Sequence, residues 1–229
     1  MMKTGNKIIK ILYDNNTLEG NLYSDWGISI FVDNGQKNIL FDVGKDRDIL
    51  THNMDQLGVS KEDIDIIVIS HRHWDHFGGL SVFEDQEIKI YTPESWTKMI
   101  EKEFDLAGEL IPVSDRIEIT DDVYSTGELG KAIKEQSLLI RGDDGIYILT
   151  GCGHPGLGKI LKEASEVGAV KAIIGGYHGF DQLELLAELY RVEDIPMLVP
   201  CHCTVLLERI QQRYSEVYRE CGVGFTLEI

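Results

Sequence analysis

The sequence predicts an α/β fold with four layers, in which two central β-sheets stack face to face and helices cover their outer sides. Two observations predict this αββα sandwich. Strand-like apolar runs alternate with amphipathic helical segments along the whole chain. A hairpin that ends in glycine and leads into a helix also occurs twice, in residues 29–44 and again in residues 137–151. Two such β-rich halves bury their sheets best against each other.

The first half contains five predicted strands, at residues 8–13, 28–33, 38–42, 64–70 and 87–91. The turn Asp33-Asn34-Gly35 predicts a hairpin between the second strand and the third. A helix is predicted at residues 46–57, because apolar side chains share one stripe there and Gly58 follows. Thr92-Pro93-Glu94 predicts the start of another helix, with a capping residue, a proline at the first position and an acid in the first turn.

The second half repeats this order, with strands predicted at residues 137–141, 146–150, 170–175, 196–201 and 225–228. Helices are predicted at residues 157–167, 181–190 and 204–218. No Pro-rich or Gly/Ser-rich linker separates the two halves. We therefore expect residues 1–229 to form one domain.

Charge and hydropathy narrow the range of partners. The chain has 22 Lys+Arg and 39 Asp+Glu, a net charge of −17, which repels phosphate backbones and anionic lipids. Its apolar runs have the length of strands and are too short to span a membrane. The N-terminus does not have the pattern of a signal peptide. We expect a cytoplasmic protein that acts on a small molecule and binds neither nucleic acid nor membranes.

The segment after the strand at residues 64–70 carries His71, His73, Asp75 and His76 within six residues. Imidazole and carboxylate groups are ligands for zinc, manganese or iron. In extended backbone, His71 and His73 point to the same side. Asp75 and His76 follow on a tighter turn, so they could face a second metal. Gly78-Gly79 is expected to let the backbone turn tightly behind these ligands.

The other histidines fall into two groups. His154, His178 and His202 each follow a predicted strand and stand beside glycine or cysteine. In α/β folds, functional groups gather at the carboxyl ends of strands, so these three are expected to share one site. His52 lies outside the apolar stripe of its helix and is expected on the surface.

The segment His71-Arg72-His73-Trp74-Asp75-His76 resembles the HxHxDH signature of the metallo-β-lactamase superfamily. Asp42, His154 and His202 match further motifs of that superfamily in order and position. The resemblance covers nearly the whole chain and implies the same αββα sandwich. The residues around His154, His178 and His202 look like those of a narrower subgroup. That subgroup is labelled 7,8-dihydropterin-6-methyl-4-(β-D-ribofuranosyl)aminobenzene 5′-phosphate synthase.

The resemblance implies one or two divalent metals per chain, with zinc favoured and manganese or iron as alternatives. The ligands implied for the first metal are His71, His73 and His154, and those implied for the second are Asp75, His76 and His202. Asp42 is implied to orient the ligands through hydrogen bonds. Asp75 and His178 are the candidate catalytic residues, Asp75 as a base if only the first metal is bound and His178 in assisting the leaving group.

His178 is a departure from the superfamily pattern. Many members place a bridging aspartate where this chain has His178. A neutral imidazole cannot bridge two cations as a carboxylate does, so the sequence leaves the binding of the second metal open. His178 is either a metal ligand, a substrate contact or a proton donor. Asp75 is either a ligand of the second metal or, with one metal only, the base.

Cysteines and aromatic residues flank the predicted ligands. If residues 200–203 are extended, Cys201 and Cys203 face away from His202, which favours packing roles for both thiols over metal binding or redox sensing. Cys152 shares a face with His154 and is expected to lie nearest the metal. The aromatic candidates for substrate contacts are Trp74, Phe77, Tyr177 and Phe180. They form either a wall for a planar ring, such as a pterin or nucleobase, or ordinary packing.

These features predict a metal-dependent hydrolase or related synthase that uses metal-activated water on a small heterocyclic substrate, phosphorylated or not. The metal would lower the pKa of bound water from about 15.7 to roughly 7. Two alternatives stay open. One is a non-catalytic metal or thiol sensor. The other is an iron redox protein of the same fold, which the resemblance makes less favourable because such members carry Glu at the position of His73 and a fused flavin domain.

Overall fold

Two β-sheets lie face to face at the centre of the computed structural model, which describes residues 7–178 and 195–229. The described strands are β1 (Ile8–Tyr13), β2 (Ser29–Asp33), β3 (Asn38–Phe41), β4 (Ile66–Val68), β5 (Lys89–Pro93), β6 (Glu109–Val113), β7 (Ile117–Thr120), β8 (Val123–Ser125), β9 (Leu138–Gly142), β10 (Gly145–Thr150), β11 (Val170–Gly176), β12 (Met197–Cys201) and β13 (Thr226–Glu228). One sheet has the order β13-β1-β2-β3-β4-β5-β6, and the other has the order β12-β11-β10-β9-β8-β7.

Helices cover the outer faces of both sheets. The described α-helices are α1 (Arg47–Gln56), α2 (Trp74–Phe77), α3 (Thr97–Glu103), α4 (Leu157–Ser165) and α5 (Leu207–Arg213). Short 3₁₀ turns lie at Lys61–Asp63, Gly78–Phe83 and Glu94–Trp96. Asp46 caps α1, because its side chain accepts hydrogen bonds from the backbone N–H groups of Asp48 and Ile49.

The main core lies between the sheets, and each sheet has a second apolar face under its helices. In β10, Leu149 points into the interior cluster between the sheets, whereas Ile148 joins the cluster that contains α4. In β11, Ile174 and Ile173 divide in the same way. This alternation follows from the two-residue period of a strand. The four-layer αββα sandwich expected from the sequence is therefore confirmed.

Most predicted strands are present within a residue or two of their expected bounds, and the hairpin at Asp33-Asn34-Gly35 pairs β2 with β3 in antiparallel register. The strand predicted at residues 64–70 is shorter, and forms only Ile66–Val68. Strands β6, β7 and β8 were not predicted. The helix predicted at residues 181–190 lies outside the described residues. Within the described part of the chain, no helix is long and apolar enough to cross a membrane.

The helix predicted to start at Thr92-Pro93-Glu94 begins later than expected, as a 3₁₀ turn at Glu94 that runs into α3. Both Thr92 and Pro93 belong to β5, and Pro93 pairs in register with Val113 of β6. The α-helix begins only at Thr97, whose hydroxyl lies 2.7 Å from that of Thr92. Pairing with a neighbouring strand has outweighed a local capping pattern here.

The last predicted helix, at residues 204–218, is also shorter than expected. It forms only Leu207–Arg213, and Leu206 just before it has a left-handed backbone with φ of 64°. A residue in that conformation cannot continue a right-handed helix towards the N-terminus. The three residues between His202 and Leu206 therefore form a loop at the end of β12.

Gly78 and Gly79 act differently from the expectation. Gly78 has ordinary helical angles, with φ of −58° and ψ of −32°. Both glycines instead permit close approach of the chain, because a Cβ would overlap the carbonyl oxygen of Lys45 at Gly78 and that of Val43 at Gly79. They let the ligand-bearing segment pack directly against the loop after β3.

We expect Gly79→Ala to destabilise the protein by about 1–3 kcal/mol, because the added methyl group must displace backbone that has no space to move. The free energy of unfolding, measured by urea denaturation, checks this. Gly20→Ala is the matched control, since no heavy atom lies within 4 Å of a Cβ built at Gly20. Equal stability of the two variants would contradict the packing argument.

Candidate metal centre

The candidate metal-ligand side chains converge where strands of both sheets end. His71, His73, Asp75 and His76 follow β4, His154 follows β10, and His202 follows β12. Strands β10, β11 and β12 are adjacent and parallel, so their carboxyl ends meet at one edge of the sheet. The structure therefore brings together residues that are far apart in the sequence.

His71, His73 and His154 form the first of two groups, which we call the first triad. His71 Nε2 lies 2.9 Å from His73 Nδ1, and His154 Nε2 lies 3.3 Å from the same nitrogen. Nitrogens bound tetrahedrally to one zinc ion at 2.0–2.1 Å would lie about 3.3–3.4 Å apart. The three nitrogens are thus spaced as ligands of a single ion.

Asp75, His76 and His202 form the second triad. Asp75 Oδ2 lies 3.5 Å from His76 Nε2 and 3.3 Å from His202 Nε2. His202 Nε2 is buried, and its 3.3 Å contact with Asp75 Oδ2 does not have the geometry of a hydrogen bond, so it makes none among the described residues. A buried polar atom without a partner is costly, and a metal ion would satisfy it. The donors of this triad therefore also fit a cation.

Asp42 lies behind both groups and is fully buried. Its carboxylate accepts hydrogen bonds from Ser70 N and Ser70 Oγ, both at 2.6 Å, and lies 2.7 Å from His76 Nδ1. Burial raises the pKa of Asp42 well above its ordinary value, and the Ser70 hydrogen bonds oppose this. In its ionised form Asp42 can only accept, so its bond to His76 then places the proton on Nδ1 and leaves Nε2 free to bind an ion.

The imidazoles of both triads are held in the neutral form. Burial lowers the pKa of His71 well below its ordinary value, and lowers the pKa of His76 and of His154 to about 4. It lowers the pKa of His202 as well. Neutral imidazole is the form that binds metals.

Asp75 is the ionised member of the site. Although burial opposes it, the imidazoles of His202 and His76 hold the pKa of Asp75 well below its usual range. The site thus combines neutral nitrogen donors with one carboxylate. This donor set suits zinc, manganese or iron.

His202 is oriented by two residues that the sequence analysis missed. Asp14 Oδ1 accepts a hydrogen bond from His202 N at 2.9 Å. Asn15 donates to the His202 carbonyl at 2.9 Å, and its Oδ1 lies 3.2 Å from His202 Nδ1. Asp14 and Asn15 directly follow the buried strand β1, and such polar residues at a strand end were the available signal.

Residues 28–160, more than half of the chain, match the family described as the metallo-beta-lactamase superfamily. The chain belongs to the metallo-β-lactamase superfamily. The resemblance drawn from the HxHxDH segment is confirmed. Members of this superfamily are mostly metal-dependent hydrolases, and their fold binds divalent metals.

Several known proteins are similar to this chain over most of its length. An uncharacterised protein of Methanocaldococcus jannaschii is 26% identical over 94% of this chain and 98% of its own length. From the same organism, 7,8-dihydropterin-6-methyl-4-(β-D-ribofuranosyl)-aminobenzene-5′-phosphate synthase is 25% identical over 86% of each chain. The crystal structure of Tm1679, a metal-dependent hydrolase of the β-lactamase superfamily, aligns with a TM-score of 0.81 at 24% identity, covering 97% and 99% of the two chains.

Cys201 and Cys203 do not share a face as expected, because His202 between them has a left-handed backbone with φ of 51°. Cys201 packs in the cluster between the sheets. Cys203 turns towards the metal centre, where its thiol donates to the carbonyl oxygen of Cys152 at 3.7 Å. Cys152 lies beside the second triad, with Sγ 3.3 Å from His76 Nε2. The expectation that Cys152 is close to the ligands agrees with this geometry.

The aromatic residues proposed as substrate contacts differ in their exposure to solvent. Trp74 is 48% exposed beside the ligands, whereas Phe77 is buried under helices α1 and α3. Tyr177 is fully buried and donates its hydroxyl to the Ile173 carbonyl at 2.7 Å, so it is a core residue and offers a substrate no surface. Phe180 lies outside the described residues. Trp26, which the sequence analysis missed, is 54% exposed with its ring centroid 5.3 Å from that of His202.

His178 lies beside His154 on the solvent-exposed side of the candidate metal centre. It is exposed, and its ring centroid is 4.4 Å from that of His154. Together with Cys152 and His154 it forms another group that could hold a metal. His178 is therefore close enough to act either on an ion or on a bound substrate.

Glu135 is a further residue that sequence reasoning missed. It is fully buried, and its carboxylate accepts hydrogen bonds from the backbone N–H groups of Cys152, Gly153 and His154 at 2.8–3.0 Å. Burial raises the pKa of Glu135 to about 7, against the opposing effect of these three N–H groups. Glu135 fixes the loop that presents His154 to the first triad.

We expect Glu135→Gln to weaken zinc binding by about 10- to 100-fold, since the glutamine Nε2 would face the N–H of His154 and leave it without an acceptor. Titration calorimetry of the metal-free protein with zinc measures this. Glu109→Gln, at an exposed position in β6, is the control. Unchanged zinc affinity in Glu135→Gln would show that the loop does not depend on the carboxylate.

Proposed function

We propose that this member of the metallo-β-lactamase superfamily is a metal-dependent hydrolase, or a related synthase, that acts on a small heterocyclic phosphate ester. One observation carries the proposal. Two triads of donor atoms lie side by side, and in each triad one atom lies 2.9–3.5 Å from the other two. The buried His202 Nε2 of the second triad makes no hydrogen bond among the described residues.

His71, His73 and His154 hold one divalent ion in this proposal, and Asp75, His76 and His202 hold a second. Zinc suits the nitrogen-rich set best. A bound divalent metal supplies a water of lowered pKa and a Lewis acid that polarises the bond to be cleaved. The chain's own residues supply binding, orientation and proton transfer.

Asp75 has two possible roles, and its pKa favours one of them. A carboxylate whose pKa lies far below neutrality is a weak base, because proton transfer is most efficient when the pKa is near the working pH. The same low pKa keeps Asp75 negatively charged and ready to bind a cation. Asp75 therefore serves as a ligand of the second ion rather than as the base.

His178 is assigned to the leaving group. It is exposed beside His154, on the side from which a substrate would approach. An imidazole there can donate a proton to the departing oxygen. A general acid of this kind contributes about 10²- to 10⁴-fold to the rate.

The substrate class rests on the rim of the site and on the relatives. Trp26 and Trp74 are both about half exposed beside the ligands, and exposed indoles stack well on planar rings. The relative named as a dihydropterin phosphate synthase points to the same kind of ring. Because the net charge of −17 repels anions, the ions must supply the attraction for a phosphate group. That nucleic acid is not a partner stays a prediction.

The test combines metal analysis with His178→Ala. Protein purified without added metal is expected to contain close to two ions per chain and to hydrolyse members of a panel of pterin and nucleotide phosphates. His178→Ala should keep its metal and lose about 10²- to 10⁴-fold in kcat. A fall to one ion would make His178 a ligand instead. Bound metal without any turnover would favour a metal sensor and overturn the hydrolase.

A further inference from the structure

Cys152 lies between the two triads and belongs to neither. Its side chain is buried, and its Sγ lies 3.3 Å from His76 Nε2. The sulfur is within 4.8 Å of a donor atom of His71 and of His154 in the first triad, and of His76 and His202 in the second. The thiol therefore occupies the space into which both sets of donors point.

The loop after β10 is built to place this side chain there. A Cβ at Gly151 would overlap the hydroxyl of Ser70, and Gly153 has a left-handed backbone with φ of 76°. Only glycine meets both requirements at low cost. The carboxylate of Glu135 then holds the backbone N–H groups on either side of the sulfur.

The charge of the site leaves a role for an anionic ligand. The two triads contain five neutral imidazoles and one carboxylate, which is little negative charge for two divalent ions. The nearby buried carboxylates already have hydrogen-bond partners. Asp42 is bonded to Ser70 and His76, and Glu135 is bonded to backbone N–H groups. A thiolate would add the missing charge, and it is a strong ligand for zinc.

Among the described residues, the second triad supplies three donors, which leaves one position of a tetrahedral ion for a further protein ligand. Tetrahedral zinc with Zn–S of about 2.3 Å and Zn–N of about 2.0–2.1 Å places sulfur and nitrogen roughly 3.6 Å apart. The 3.3 Å between Cys152 Sγ and His76 Nε2 is close to this separation. Cys203 forms a further possible metal-binding group with Cys152 and His202, and its thiol donates to the carbonyl oxygen of Cys152 at 3.7 Å.

We propose that Cys152, as a thiolate, is the fourth protein ligand of the ion held by Asp75, His76 and His202. The inference rests on the metal centre of the proposed function. A metal–sulfur bond forms as the S–H bond of Cys152 breaks, and the proton leaves to solvent. No oxidation or reduction takes place.

The test uses the metal-free full-length protein loaded with cobalt(II), which reports a thiolate ligand by an intense sulfur-to-cobalt charge-transfer band in the near ultraviolet. The wild type is compared with Cys152→Ser, Cys203→Ser and Cys221→Ser, and bound cobalt is counted by elemental analysis. Cys221 lies in the cluster between the sheets and serves as the control. We expect the band in the wild type, in Cys203→Ser and in Cys221→Ser. In Cys152→Ser we expect its loss, together with a fall of more than about 10-fold in affinity for the second ion.

A second measurement does not depend on any variant. The X-ray absorption spectrum of the zinc-loaded wild type should require a sulfur neighbour at about 2.3 Å. Zinc surrounded by nitrogen and oxygen alone, a cobalt protein without the band, or a band that survives in Cys152→Ser would each overturn the assignment and leave the proposed hydrolase intact. A wild type that binds no cobalt or zinc would overturn both.

Discussion

Replacement of His73 by alanine is expected to empty the first triad and to lower kcat/KM by more than about 10³-fold. His73 Nδ1 lies 2.9 Å from His71 Nε2 and 3.3 Å from His154 Nε2. It is therefore in contact with both other donor atoms of the first triad. Without it, two nitrogens remain, and the lowering of the water pKa from about 15.7 to about 7 is lost. Elemental analysis and steady-state kinetics on the same preparations measure both effects.

His52→Ala provides the matched control for this experiment. His52 lies on α1, stacks on Tyr23 and contacts the Asn21 carbonyl, away from both triads. It should keep the metal content and the activity of the wild type. Turnover retained in His73→Ala would show that the first triad is not the centre of the chemistry.

The strands that the sequence predicted are those whose local pattern decides their structure. Strand β1 matches its expected bounds, and β10 differs by one residue, because each carries a run of buried apolar side chains. Strands β6, β7 and β8 were missed for a physical reason. They are short and partly exposed, β6 contains Pro112, and pairing with neighbours rather than local pattern holds them. Strand pairing also explains the displaced helix start, because Thr92 and Pro93 pair with β6 and helical structure begins only at Glu94.

The residues of the candidate metal centre were also predicted only in part. The candidate ligands were visible because histidines and aspartate are rare at such spacing and stand at strand ends. The residues that orient them were not visible. Asp14 bonds His202 across 188 positions, and Glu135 bonds Cys152 across 17. Only the folded chain brings these partners together, so one sequence cannot show that they act on the site.

The backbone conformation of His202 explains why the predicted orientation of Cys203 was wrong. Alternation along an extended segment placed Cys203 away from the ligands. The left-handed backbone of His202 reverses this and turns Cys203 towards Cys152. Such a conformation is uncommon for residues other than glycine, so it could not be expected from the residue types alone. Asp14 and Asn15 stabilise it through hydrogen bonds to the backbone of His202.

Asp42→Asn is expected to weaken binding of the second ion. Asn tolerates the left-handed backbone of Asp42, whose φ is 56°, so the change alters the hydrogen bonding and little else. Its Oδ1 can still accept from Ser70 N, but its amide group then faces Ser70 Oγ and His76 Nδ1. To accept from that amide, His76 must move its proton from Nδ1 to Nε2, the nitrogen that faces Asp75 and Cys152.

A protonated Nε2 cannot bind a metal, so affinity for the second ion should fall by about 10- to 100-fold and metal content should fall from two ions per chain towards one. Nitrogen-15 NMR identifies which ring nitrogen of His76 carries the proton, and elemental analysis counts the ions. An unchanged free energy of unfolding, measured by urea denaturation, separates this effect from general unfolding. A variant in which His76 keeps its proton on Nδ1, or retains both ions, would show that Asp42 does not set the tautomer. Asp42 would then support the site only by filling space beneath it.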